Sequence, residues 1–76
     1  MINKDSDKDK LDLLTARELE ILKMIAIGGK NSEIAAKMCI SERTIKNHLT
    51  HIFDKIEVSD RTQAAVFAIK NNLTKI

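Results

Sequence analysis

No proline interrupts this 76-residue chain, and its two glycines are adjacent, Gly28 and Gly29. Proline and glycine are the strongest local breakers of regular structure, so a chain without them elsewhere has few places to stop a helix. No stretch alternates apolar and polar residues as a half-buried strand would. Apolar residues return instead at intervals of three and four. In "SERTIKNHLTHIFDKI", residues 41–56, they fall at Ile45, Leu49, Ile52, Phe53 and Ile56, which is one stripe of a helix. The pattern predicts an all-α fold.

The helix starts are written in the capping residues. In "LLTARELEIL", Thr15 is a natural N-cap and Glu18, three residues on, completes a capping box. Leu14 and Leu19 occupy the two positions of a hydrophobic staple, which fixes the entry angle of the chain. The stripe Leu19, Leu22, Ile25 and Ala26 follows, and Gly28 is a natural stop. A second, short helix is predicted over 31–38, burying Ile34, Ala35 and Met38. Ser41 caps a third, with Ile40 and Ile45 repeating the staple. A fourth follows Val58, opens on a further capping box of Asp60 and Gln63, and runs to residue 71 or 72. Its middle, "AAVFAI", is apolar on two sides: Ala64, Phe67 and Ala68 on one, Ala65, Val66 and Ile69 on the other. A small domain readily supplies one buried side, so the second predicts a self-association surface, the competing reading being a core that wraps the helix.

Ahead of these helices "MINKDSDKDK" alternates lysine and aspartate and offers almost nothing to bury. It predicts a flexible tail or linker over 1–12, followed by one domain over 13–76. At this length the core is modest and its packing has to be efficient or shared with a partner.

Composition removes several function classes. Phe53 and Phe67 are the only aromatic residues, which argues against a stacking platform for single-stranded nucleic acid. The lone Cys39 excludes an internal disulfide and a thiolate zinc cage, and its apolar neighbours read it as a small core filler. The longest apolar runs are a few residues and the start lacks the apolar region of a signal peptide, so a cytoplasmic protein without membrane contact is expected. His48, His51 and Asp54 recur at intervals of three, but no further ligand completes a metal site. Neither Ser41 nor Thr44 has a base and orienting acid arranged beside it. "IGGKNS" lacks the strand and spacing of a phosphate-binding loop. No metal, no cofactor, no small-molecule substrate and no enzymatic activity are expected.

The third predicted helix carries the positive signal. The face opposite its stripe reads Arg43, Lys46, Asn47 and Thr50, with the next acid along that face at Asp54. The formal net charge of +2 is too small to imply a polyanion partner, so the placement of the bases matters more than their number. Two helices joined by the short turn "CIS", the second capped by Ser41, match a helix-turn-helix. In that motif the second helix lays its first turns against base edges in the major groove. Lysine donates to guanine acceptors, asparagine pairs in a bidentate way with adenine, and threonine bonds several bases or touches a thymine methyl. A solvated amphipathic face is the competing reading of such a charge run.

The matched positions extend well beyond this helix. They begin with Leu14, Thr15, Arg17, Glu18, Glu20, Ile21 and Leu22, then Ala26 and Gly28, then Asn31, Glu33, Ile34 and Ala35. They continue through Ile40, Ser41, Thr44, Ile45, Lys46, His48, Ile52, Lys55, Ile56, Val58, Arg61 and Ala64. Residues 14 to about 73 resemble the LuxR/NarL/FixJ-type helix-turn-helix domain, closest in flavour to the DNA-binding half of NarL-class two-component response regulators. The resemblance implies a four-helix domain that binds double-stranded DNA and regulates transcription. It is then either a C-terminal output domain or a stand-alone GerE-like regulator, working as a homodimer with RNA polymerase as a further partner. It implies that helix 42–56 enters the major groove, that Lys46, Asn47 and Thr50 read bases, and that Arg43, Thr44, His48 and Lys55 approach the backbone together with Lys30 and Asn31. It implies dimer contacts through Thr62, Ala65, Val66 and Ile69 of the last helix.

Two departures stand out. Lys30 replaces the small hydroxyl residue common before Asn31, which leaves Asn31 or water to cap that helix. Glu57 stands where glycine or asparagine is frequent, and a left-handed backbone there costs about 1 kcal/mol. Two other readings keep the same helices: a sigma-factor-like promoter-recognition region, and a protein-binding module that has lost DNA binding.

Overall fold

The computed structural model describes residues 4–74, in which five helices and no strand occur: α1 Lys4–Asp12, α2 Ala16–Ala26, α3 Asn31–Met38, α4 Glu42–Ile56 and α5 Arg61–Lys70. Capping chemistry sets most of the starts. At α2 the Thr15 hydroxyl accepts from the Glu18 amide at 3.1 Å, and the Glu18 carboxylate accepts from the Thr15 amide at 2.9 Å. Both halves of the predicted box are therefore made. At α4 the Ser41 hydroxyl accepts from the Thr44 amide at 3.1 Å. At α5 only half of the expected box forms. Asp60 accepts from the Gln63 amide at 2.9 Å, while the Gln63 side-chain oxygen accepts from the Ser59 amide at 2.8 Å, not from that of Asp60.

The start of α3 also departs from expectation. Lys30 takes the cap position, and Glu33 accepts from its amide at 2.8 Å. A lysine side chain has no acceptor to return the bond. Asn31 does not cap either, because its side-chain oxygen is taken by Arg61 from across the domain.

α2 to α5 all end the same way. A left-handed residue closes each one, directly after α3 and α4 (Cys39, φ 59°; Glu57, 59°) and one residue further on after α2 and α5 (Gly28, 90°; Asn72, 61°). The amide that follows each one reaches back to the helix, Gly29 to Met24 at 2.9 Å, Ile40 to Ala35 at 3.0 Å, Val58 to Phe53 at 3.0 Å and Leu73 to Ala68 at 2.9 Å. These Schellman closures satisfy carbonyls that would otherwise lack partners and reverse the chain in the fewest residues. Cys39 is therefore an exposed turn residue, not the core filler its neighbours suggested. Its backbone geometry pushes the side chain outward and leaves Ile40 to pack. Gly29 is needed for space, since a Cβ there would meet the Met24 carbonyl oxygen at 2.9 Å.

The core forms where the apolar faces meet. Ile21, Leu22, Ile34, Ile45, Ile52 and Ile56 are fully buried, with Leu14, Ile25, Leu49, Ala64, Phe67 and Ala68 close behind. α2 packs most extensively against α5, and α3 against α4, with lighter contacts from α2 and α1 to α4. Each large aliphatic side chain here contributes about 1.5–3 kcal/mol through burial. Truncating Ile52, at the centre of the α4 stripe, to alanine would cost about 2–5 kcal/mol, a large part of what so small a domain has.

α1 occupies part of the segment expected to be a solvated tail. Its fixing contacts are all distant in sequence. Asp7 accepts from the Asn71 side-chain amide at 3.2 Å and pairs with Lys70 at 3.4 Å, Lys10 pairs with Glu57 at 3.4 Å, and Leu11 packs against the core. Local composition could not reveal partners at positions 57, 70 and 71.

Candidate nucleic-acid interface

Three residues, Cys39, Ile40 and Ser41, separate α3 from α4. The left-handed backbone at Cys39 and the Ser41 cap fix the angle between the two helices, and half-buried Ile40 anchors the turn. α4 is held by Ile45, Leu49, Ile52 and Ile56, all buried. With that stripe inside, helical geometry turns Arg43, Lys46, Asn47 and Thr50 outward, and all four are exposed. His51 and Asp54 are exposed on the same side. Glu42 lies in the first turn in register with the stripe, where the helix dipole favours an acid.

The expected backbone group divides. Thr44 and His48 are half-buried along one edge of the stripe, and the Thr44 hydroxyl shares a 2.9 Å hydrogen bond with that of Ser41. Lys55 lies on the same edge, but its ammonium donates to Glu18 at 2.8 Å. That Lys55 side chain is 33% exposed and its Glu18 partner 7%. Burial pushes the Glu18 carboxyl up, yet the Lys55 hydrogen bond, the Thr15 amide and the Lys55 charge outweigh it and hold the group below its ordinary value. Lys30 is exposed at the start of α3, and Asn31 beside it is half-buried. The Arg61 guanidinium donates to the Asn31 side-chain oxygen at 2.6 Å and to the Gly29 carbonyl. This fork ties the first residue of α5 to the turn that starts α3.

The last helix is two-sided. Ala64, Phe67 and Ala68 are buried, whereas Val66 is 56% and Ile69 40% exposed, with Thr62 exposed and Ala65 half-buried on the same outer side. Two apolar side chains left in water on one helix form a small patch that another surface can cover.

The pairing of Glu18 with Lys55 and that of Arg61 with Asn31 are the contacts that sequence reasoning missed. All four were matched positions, but only the fold brings Glu18 to Lys55 and Arg61 to Asn31. Among the described residues no group of three or more His, Cys, Asp or Glu is placed to hold a metal ion. No helix among the described residues is long and apolar enough to cross a membrane.

Residues 12–68 match the family described as bacterial regulatory proteins, luxR family. The chain belongs to the luxR family. The match covers α2 to α4 and most of α5, the elements that build and present the helix-turn-helix. Among curated relatives, the chain is 52% identical over 69 residues to the uncharacterized transcriptional regulatory protein YhcZ of Bacillus subtilis, covering 91% of this chain and 32% of that protein. It is 55% identical over 60 residues to the transcriptional regulatory protein LiaR of Bacillus subtilis, with 79% of this chain and 28% of that protein covered. It is 48% identical over 62 residues to the response regulator protein VraR of Staphylococcus aureus, with 82% and 30% covered. The chain therefore spans less than a third of the length of these relatives. As a luxR-family helix-turn-helix, it is a DNA-binding domain of the transcription-regulating kind.

Proposed function

We propose that this luxR-family domain reads duplex DNA in a sequence-specific way with α4 in the major groove, as the output half of a response regulator. The carrying observation is the outward face of the first two turns of α4. Arg43, Lys46, Asn47 and Thr50 stand exposed on a helix whose other face is locked into the core. Lys46, Asn47 and Thr50 read base edges, with hydrogen-bonding groups and, at Thr50, a methyl group that those edges can meet. Arg43, Thr44 and His48 of α4 approach phosphates, together with Lys30 and Asn31 at the start of α3. Lys55 joins this group with the N–H bonds left after Glu18, so most of its charge is compensated inside the protein. Phosphate contacts supply most of the affinity, and base contacts set the sequence.

A second copy pairs through Thr62, Ala65, Val66 and Ile69 of α5, and the two-fold dimer prefers a pair of similarly spaced half-sites. The exposed apolar side of α5 favours this over a lone domain. RNA polymerase is the further protein partner of such a regulator, and the cytoplasm is where both are found.

The test is a salt-resolved titration of a specific duplex with the wild type, Lys46→Ala and Lys30→Ala. Lys46→Ala weakens specific binding by about 1–3 kcal/mol and leaves random duplex almost unaffected. Lys30→Ala weakens both evenly and makes the salt slope shallower. Equal binding of specific and random duplex by the wild type would overturn the proposal, and absence of both at low salt would favour a protein-binding module.

A further inference from the structure

The Thr50 hydroxyl donates to the main-chain oxygen of Lys46, one turn earlier, at 3.1 Å. A threonine hydroxyl carries a single proton. With that proton already satisfied inside the helix, turning it toward a base acceptor only exchanges one hydrogen bond for another, with little net gain. What Thr50 offers at no such exchange is its methyl group and the lone pairs of its oxygen. The residue is exposed on the face proposed to meet the groove.

The four base pairs differ in what they return. An A·T pair presents the adenine N6 amino donor and the thymine C5-methyl together in the major groove. A G·C pair presents one cytosine amino donor beside two guanine acceptors, and it has no methyl. We propose that Thr50 selects an A·T pair, chiefly through contact of its methyl group with the thymine methyl. The proposal rests on the reading that α4 enters the major groove. Lys46, one turn before Thr50, has the opposite chemistry of three donors and no acceptor. The two residues therefore divide their work, Lys46 favouring guanine acceptors and Thr50 an A·T pair.

Selection of bound duplexes from a random pool, run on the wild type, Thr50→Ser and Thr50→Val, tests this. Serine keeps the hydroxyl and loses the methyl, and valine does the reverse. The position is exposed, so neither change disturbs the core. The wild type and Thr50→Val are expected to enrich A·T at one shared position of the half-site, and Thr50→Ser to lose that preference. Replacing that thymine with uracil, which removes only the methyl, should weaken the wild type about fourfold, the effect of one buried carbon. Thr50→Ser should be indifferent to the same replacement. Retention of A·T by Thr50→Ser, a wild-type preference for G·C at the position that Thr50→Ser relaxes, or no effect of uracil would each overturn the proposal. A defined half-site without thymine dependence removes this inference alone, whereas no enriched sequence at all removes the groove reading with it.

Discussion

Lys55 donates to Glu18 at 2.8 Å and so ties the last turn of α4 to the first turn of α2. The same carboxylate accepts from the Thr15 amide at 2.9 Å. One nearly buried group therefore both caps a helix and positions α4, the helix proposed to face DNA. A lysine expected to meet phosphate is held here by a carboxylate of the neighbouring helix.

Glu18→Gln should reduce stability by about 1–2 kcal/mol, less than a fully buried pair would lose because Lys55 is partly exposed. The folded-state carboxyl titrates below its ordinary value of 4.5. Its contribution is therefore complete above that value and lost as pH falls through the lower folded value. Urea unfolding across pH should show a constant gap between the wild type and Glu18→Gln in the neutral range and a shrinking gap in acid. A gap that widens in acid would contradict the assignment.

Glu57→Gly should stabilise the domain by about 1 kcal/mol, since Glu57 holds a left-handed φ of 59° that an L side chain resists. The exposed pair with Lys10 at 3.4 Å offsets little of that gain. Glu57→Ala keeps the strain and serves as the control. Thermal unfolding that ranks Gly at or below Ala would show that the turn is not strained.

Arg61→Lys should behave as a disruptive change. The guanidinium spans Asn31 and Gly29 with two nitrogens, and a lysine has no planar fork to do so. A loss of about 1–2 kcal/mol is expected in unfolding, with faster hydrogen exchange at the start of α3. Wild-type exchange there would mean that the fork does not hold the turn.

Val66→Asp should abolish self-association while leaving helicity intact, because it puts a charge at the centre of the outer side of α5, whose inner side stays buried. Sedimentation of the DNA-bound wild type and variant reads this directly. An unchanged dimer in the variant would move the interface elsewhere.

Much of this was legible in the chain. Thr15, Glu18, Ser41 and Asp60 announced three helix starts because caps act over three residues, and the stripe of Ile45, Leu49, Ile52 and Ile56 fixed which face of α4 is inside. Cys39 was misread because sequence neighbours do not reveal a left-handed turn. The helix at Lys4–Asp12 was missed because Asn71, Lys70 and Glu57 hold it from far along the chain. The outward residues of α4 were foreseen as a set, whereas the hydrogen bond that commits the Thr50 proton depends on a rotamer, which no sequence pattern states.

The central claim is that the outward face of α4 reads sequence. Selecting bound duplexes from a random pool with the wild type and with Asn47→Ala tests it most directly. The account predicts two similarly spaced half-sites for the wild type, and loss of preference at one base pair of each half-site for the variant. A pool that never departs from random, or an identical enriched sequence for both proteins, would contradict it.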